Sequence, residues 1–151
     1  MEKQKNLVRL AKMAMLVAIS VILVSIIHFP IFPAVAFLEY DPADIPIFIG
    51  TFAFGPIAGL MITVVVSLVQ GLTVSAGSGA YGIIMHIIAT GSFVIVAGFL
   101  YRHKKTKKEA IIALAAGTLT MVVVMYFANL VITPMFTGWP GEGADAVYSR
   151  I

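Results

Sequence analysis

After Asp44 no Asp, Glu, Lys or Arg occurs until Arg102, a run of 57 residues. A soluble fold needs charged or polar faces toward water on every surface element, and an uncharged run of this length leaves several elements without one. Hydrophobic residues make up 60% of the 151-residue chain and charged residues 11%, against roughly 25% charged in a soluble domain. The apolar runs have helical rather than strand length. The chain is therefore read as an all-α integral membrane protein with a single transmembrane domain over residues 1–151. It has no cysteine, which excludes disulfides, Cys-based zinc sites, iron–sulfur clusters and a Cys nucleophile.

Charge placement sets the topology. The basic residues fall mainly in two blocks, Lys3, Lys5, Arg9 and Lys12, then Arg102, Lys104, Lys105, Lys107 and Lys108. The acids Glu39, Asp41, Asp44, Glu142 and Asp145 occupy other polar segments. Short loops rich in Lys and Arg stay cytoplasmic, so both basic blocks are expected inside and the acidic segments outside. The second block fits such a topology signal better than a nucleic-acid contact.

Apolar stretches run over Leu10–Ile27, Ile45–Phe54, Ile57–Val74, Tyr81–Tyr101 and Ala110–Thr133. A helix needs roughly 20 residues to cross a ~30 Å hydrocarbon layer, and all but the second approach that length. Parity settles the second: two cytoplasmic blocks require an even number of crossings between them. Ile45–Phe54 must then cross as a short element shielded by its neighbours, since irregular membrane elements are tolerated only inside protein or along a cavity. Gly55-Pro56 supplies the inner turn. Five crossings put the segment after Thr137 outside, with a sixth helix expected to be missing. The basic start, apolar Met13–Ile27 and Ala34-Val35-Ala36 imitate a secretory signal, but Pro30 and Pro33 suit a structured outer loop.

Several motifs have a bland and a functional reading. Gly77-Ser78-Gly79-Ala80-Tyr81-Gly82 spells G-x-G-x-x-G, yet it follows an apolar span and lacks the later acidic residue of a dinucleotide fold. It reads as an outer turn whose amides at the start of span four can meet a ligand. Ala11, Ala14 and Ala18 share one helical face, suited either to packing inside the bundle or to docking on a partner membrane protein. His86 and Thr90 lie one turn apart near the outer end of span four, and Asn129 lies in the outer half of span five. Such groups face a cavity or another helix rather than lipid. Gln70 reads as a packing or helix-bonding residue. Asp41 is expected to N-cap a helix begun by Pro42, and Asp41 and Asp44 are otherwise candidates for substrate recognition or metal chemistry. The scattered histidines do not favour a metal site, and no nucleotide-hydrolysing motif occurs.

Together, Ala14–Ala18, Asp41-Pro42-Ala43-Asp44-Ile45-Pro46, Phe52-Ala53-Phe54-Gly55-Pro56-Ile57-Ala58-Gly59 and Asn129-Leu130-Val131-Ile132-Thr133-Pro134 resemble the substrate-binding S component of an energy-coupling factor (ECF) vitamin transporter. The resemblance is nearest to the riboflavin-specific branch and covers nearly the whole chain. It implies a six-helix bundle, about five helices of which are present, that captures a vitamin from outside without catalysis or a cofactor. A transmembrane coupling protein and two cytoplasmic ATPases would drive uptake, with Ala14 and Ala18 meeting the coupling protein. Phe37, Leu38 and Tyr40 could cover a ring system. Asp41, Asp44, His86 and Asn129 could bond a polar edge or chain, and Gly77, Ser78, Gly79, Tyr81 and Thr90 complete the expected enclosure. Gln70 stands where a Lys-Asn pair is expected in that branch, and His86 where an Asn is, so another vitamin-like solute stays open. A stand-alone secondary transporter, a small metal-dependent membrane enzyme and a ligand-free assembly subunit are the remaining alternatives.

Overall fold

The structure, a computed structural model, describes residues 1–27, 41–74, 76 and 79–137. Within these residues the chain forms five helices: α1 (Glu2–Ile26), α2 (Asp44–Phe54), α3 (Pro56–Leu72), α4 (Gly79–His103) and α5 (Lys107–Thr137). Phe37, Leu38, Tyr40, Gly77 and Ser78, together with the segment after Thr137, lie outside the described residues.

Three helices, α1, α4 and α5, are long and apolar enough to cross a membrane. The third apolar stretch is shorter than its sequence suggests, because α3 ends at Leu72 after 17 residues and rises about 25 Å at ~1.5 Å per residue. The fifth is longer. α5 runs through Pro134 to Thr137, whereas the apolar run stops at Thr133. Proline removes one amide from the ladder, and side-chain bonds can support the affected turns of a membrane helix. Here Asn129 Nδ2 donates to the Met125 carbonyl at 2.8 Å, and Thr133 Oγ1 donates to Asn129 Oδ1 at 3.0 Å.

The short second element is a helix of 11 residues, rising only about 16 Å, and it packs against α1, α3 and α4. Pro46, Ile47, Gly50 and Thr51 are its buried face. Its N-terminus lies beside Gln70 of α3 and His86 of α4, through Asp41 and Asp44. Its C-terminus accepts a bond from Arg9 of α1 at the Phe54 carbonyl (2.8 Å), close to Arg102 and Lys105. The bundle thus has an acidic end and a basic end, and the two basic blocks converge at the latter.

The turn between α2 and α3 follows from three small residues. Gly55 takes φ +97°, a region where a side chain is strained, and Pro56 occupies the start of α3. A Cβ on Gly59 would collide with Thr51 and Val94. A Cβ on Gly98 would meet Pro56 Cβ at 2.8 Å and its Cα at 2.9 Å. These contacts let α2, α3 and α4 close around Ile47, Ile62, Val66 and Val94, each at most 1% exposed. Phe48 stacks on Phe93 with ring centroids 4.2 Å apart. Outward-facing residues are apolar as well: Leu119 of α5 is 69% exposed and Ile57 of α3 is 69% exposed. Such surface is stable in lipid and costly in water.

Candidate functional site at the acidic end

A polar stripe runs along α3, where Thr63, Ser67 and Gln70 share one face and are all buried. In an apolar helix such groups satisfy themselves on the preceding turn. Thr63 Oγ1 donates to the Gly59 carbonyl (2.9 Å) and Ser67 Oγ to the Thr63 carbonyl (2.7 Å). Gln70 is too long to do this and reaches across instead, its Nε2 donating to Asp41 Oδ2 at 2.6 Å.

From α4, His86 completes the link. Its Nδ1 lies 2.6 Å from Ser67 Oγ, and its Nε2 lies 3.3 Å from Asp41 Oδ2 and 3.5 Å from Asp44 Oδ1. Both are ion-pair distances without an aligned hydrogen bond, because the nitrogen points between two oxygens rather than at either. A lone pair facing two carboxylates would be repelled, so Nε2 carries a proton in this arrangement. One turn further, Thr90 Oγ1 donates to Asp44 Oδ1 at 3.0 Å. The side chains of His86, Asp41 and Asp44 are 17%, 22% and 26% exposed, a partly dry setting in which these contacts gain strength over those in water.

Asp41 precedes α2 rather than capping it. The N-cap of α2 is Ala43, and Asp41 Oδ1 accepts from the Ala43 amide at 2.9 Å. The expectation of Asp41 as N-cap is corrected: Ile45 N donates to the Pro42 carbonyl (3.2 Å), so Pro42 lies in a turn before the helix and Asp41 closes that turn. Burial opposes ionisation of Asp41, but the His86 and Gln70 side chains and the Ala43 amide outweigh it and hold its carboxyl below the usual carboxylate range.

Asp41, Asp44, His86 and Thr90 are therefore brought together. Ser67 and Gln70 join them, Ser67 without an expectation from the sequence and Gln70 in the helix-bonding role expected of it. The Thr63-Ser67-Gln70 spacing at i, i+4 and i+7 was the signal for both. Asn129 belongs to a different set, bonded within α5 to Thr133, whose hydroxyl lies 3.0 Å from the Tyr81 hydroxyl. Gly79 opens α4 with φ +53°. Gln70 Oε1 is buried with no hydrogen-bond donor among the described residues, an acceptor that a ligand or water would complete. No group of three metal-ligating side chains with metal-site geometry occurs among the described residues.

Ala11, Ala14 and Ala18 are exposed on α1, while Met13, Ser20 and Val24 turn the opposite face inward. A hollow of about 360 Å³ lies at the basic end, against Arg9, the α2–α3 turn, Tyr101, Arg102 and Lys105. It shares no residue with the acidic-end cluster.

The family described as "ECF transporter, substrate-specific component" matches residues 8–147. The riboflavin transporter RibU of Lactococcus lactis subsp. cremoris is 27% identical over 144 residues, which is 93% of this chain and 70% of the relative. RibU of Staphylococcus aureus is 33% identical over 129 residues, 85% of this chain and 67% of the relative. A solved structure described as "Structure and mechanism of the S component of a bacterial ECF transporter" superposes with a TM-score of 0.77 at 32% identity, covering 87% of this chain and 77% of that one.

Proposed function

The chain belongs to the substrate-specific components of ECF transporters, and on that premise we propose that it captures riboflavin at its acidic end and delivers it to partner subunits for uptake. It is a membrane transport component rather than an enzyme. The observation that carries the riboflavin assignment is the similarity to RibU over 93% and 85% of the chain in two organisms.

In this reading the acidic end faces outward and the N-terminus is cytoplasmic. The convergence of Arg9, Arg102 and Lys105 at one end supports that orientation through the positive-inside rule. Phe37, Leu38 and Tyr40 cover the flavin ring from the first outer loop. Gly77, Ser78, Gly79 and Tyr81 supply the facing turn, and Asn129 contributes from α5. His86 and Thr90 form the floor with Asp41 and Asp44. The two positions that depart from the riboflavin branch, Gln70 and His86, meet on one oxygen, Asp41 Oδ2. They therefore act as one unit that holds the base of the first outer loop against α3 and α4. Gln70 Oε1, with no donor among the described residues, accepts from a ring N–H. A transmembrane coupling protein docks on Ala11, Ala14 and Ala18, and two cytoplasmic ATPases supply the energy. The exposure of all three alanines supports that docking face. The five described helices form one transmembrane unit.

The test is an absorption spectrum of protein purified in detergent, followed by titration with a vitamin panel. Flavin absorbance retained by the protein, or saturable riboflavin binding, is the expected outcome. Saturable binding of a different vitamin with no riboflavin binding would reject the flavin and leave the family intact. Replacing Gln70 with Leu should weaken riboflavin binding about tenfold, as for one charged-group or buried hydrogen bond.

A further inference from the structure

Arg9, Arg102 and Lys105 line the hollow at the basic end, with Phe52, Pro56 and Tyr101 among its other walls. None of the three cations has a carboxylate within ion-pair distance among the described residues. Arg9 donates to the Phe54 carbonyl at 2.8 Å and its guanidinium lies 6.0 Å from the Phe54 ring centroid. These contacts fix it at the wall and leave its remaining donors without a protein acceptor among the described residues. Unneutralised cations around one concave space raise the local concentration of anions. Two guanidinium forks and one ammonium suit a phosphate group, which accepts paired bonds from Arg and a point charge from Lys.

The wall toward the lipid narrows the choice of phosphate. Ile57 lines the hollow and is 69% exposed, and Met61, one turn along the same face of α3, is 52% exposed. A soluble anion would leave that apolar strip unused, whereas a phospholipid would lay its chains on it. Basic pockets between membrane helices are known to hold anionic headgroups. We propose that the hollow seats the phosphate headgroup of an anionic phospholipid, whose acyl chains run along Ile57 and Met61. This goes beyond riboflavin capture and does not depend on it.

Native mass spectrometry of the full chain, released from micelles containing equal phosphatidylglycerol and phosphatidylcholine, tests the proposal. Phosphatidylglycerol should be retained in preference, and an excess of inorganic phosphate should not displace it. The double substitution Arg102→Gln and Lys105→Gln should lower retention about tenfold. Lys107→Gln with Lys108→Gln, which removes the same charge from residues that do not line the hollow, should leave retention unchanged. Equal retention of the two lipids by the unsubstituted chain would overturn the proposal without recourse to any variant. Equal loss in both double variants would reduce the effect to overall charge, and displacement by inorganic phosphate would make the site one for a soluble anion. Riboflavin titration on the same samples reads the vitamin site separately.

Discussion

His86 stands between two carboxylates that would repel each other without it. Removing one partner from a buried charged cluster costs more than the cluster contributes, because the remaining charges stay desolvated. His86→Leu is therefore expected to destabilise the protein by about 2–3 kcal/mol, less than a fully buried pair because the group is partly exposed. Thr90→Val, which removes one bond to Asp44 Oδ1, should cost about 1–1.5 kcal/mol. Thermal unfolding in detergent measures both, and a cost for Thr90→Val equal to that of His86→Leu would mean that His86 does not organise the cluster. Asp41 makes a separate prediction. Its carboxyl is held below the usual range in the folded protein, so its stabilising contribution is complete above the unfolded value of about 3.9. That contribution drains away as pH falls from there through the folded value. The unfolding temperature should consequently drop on going below about pH 4, and Asp41→Asn should show less of that drop. At this scale the sequence placed Asp41, Asp44, His86 and Thr90 on candidate surfaces, but it could not show that Gln70 reaches Asp41. That contact spans 29 residues and depends on how α3 docks against the start of α2.

Among elements, α2 is the one that local rules alone would misjudge. Eleven residues are too few for a membrane crossing, and only the count of charged blocks on either side requires one. The Phe54–Gly59 segment shows why the surrounding motif takes its form. Gly55 supplies a backbone angle, Pro56 starts the next helix, and Gly59 removes the side chain that would push α2 and α4 away. Gly98 is the counterpart on α4. Gly98→Ala should destabilise the bundle by about 1–3 kcal/mol, since the added Cβ meets the Pro56 backbone, which cannot rotate aside. An unfolding temperature equal to that of the unsubstituted protein would show that α4 can shift outward at no cost. The end of α5 was less legible. Pro134 marks a helix stop in water, yet Asn129 and Thr133 place side-chain bonds along the preceding turns and the helix continues.

At the scale of the whole molecule, the bundle separates two chemistries. Carboxylates and their donors gather at one end, and cations without an ion-pair partner among the described residues gather around a hollow at the other. The exposed alanine face of α1 lies along a helix whose other side is packed inward. Because small side chains permit close helix approach in lipid, Ala14→Leu with Ala18→Leu should abolish co-purification of a coupling protein while leaving riboflavin affinity within about twofold, as expected for changes remote from the ligand. Retained co-purification would move the docking face elsewhere on the bundle. The sequence by itself determined that this is a helical membrane protein, where its apolar segments lie, and that the two basic blocks share a side. These properties follow from summed hydropathy and charge along the chain, which need no knowledge of neighbours. The tertiary structure decided which polar side chains meet, that Asp41 closes a turn instead of capping a helix, and that three distant cations surround one cavity. Those properties depend on how helices rotate about their own axes when they pack, and a rotation of half a turn would exchange every contact without altering the hydropathy of a single segment.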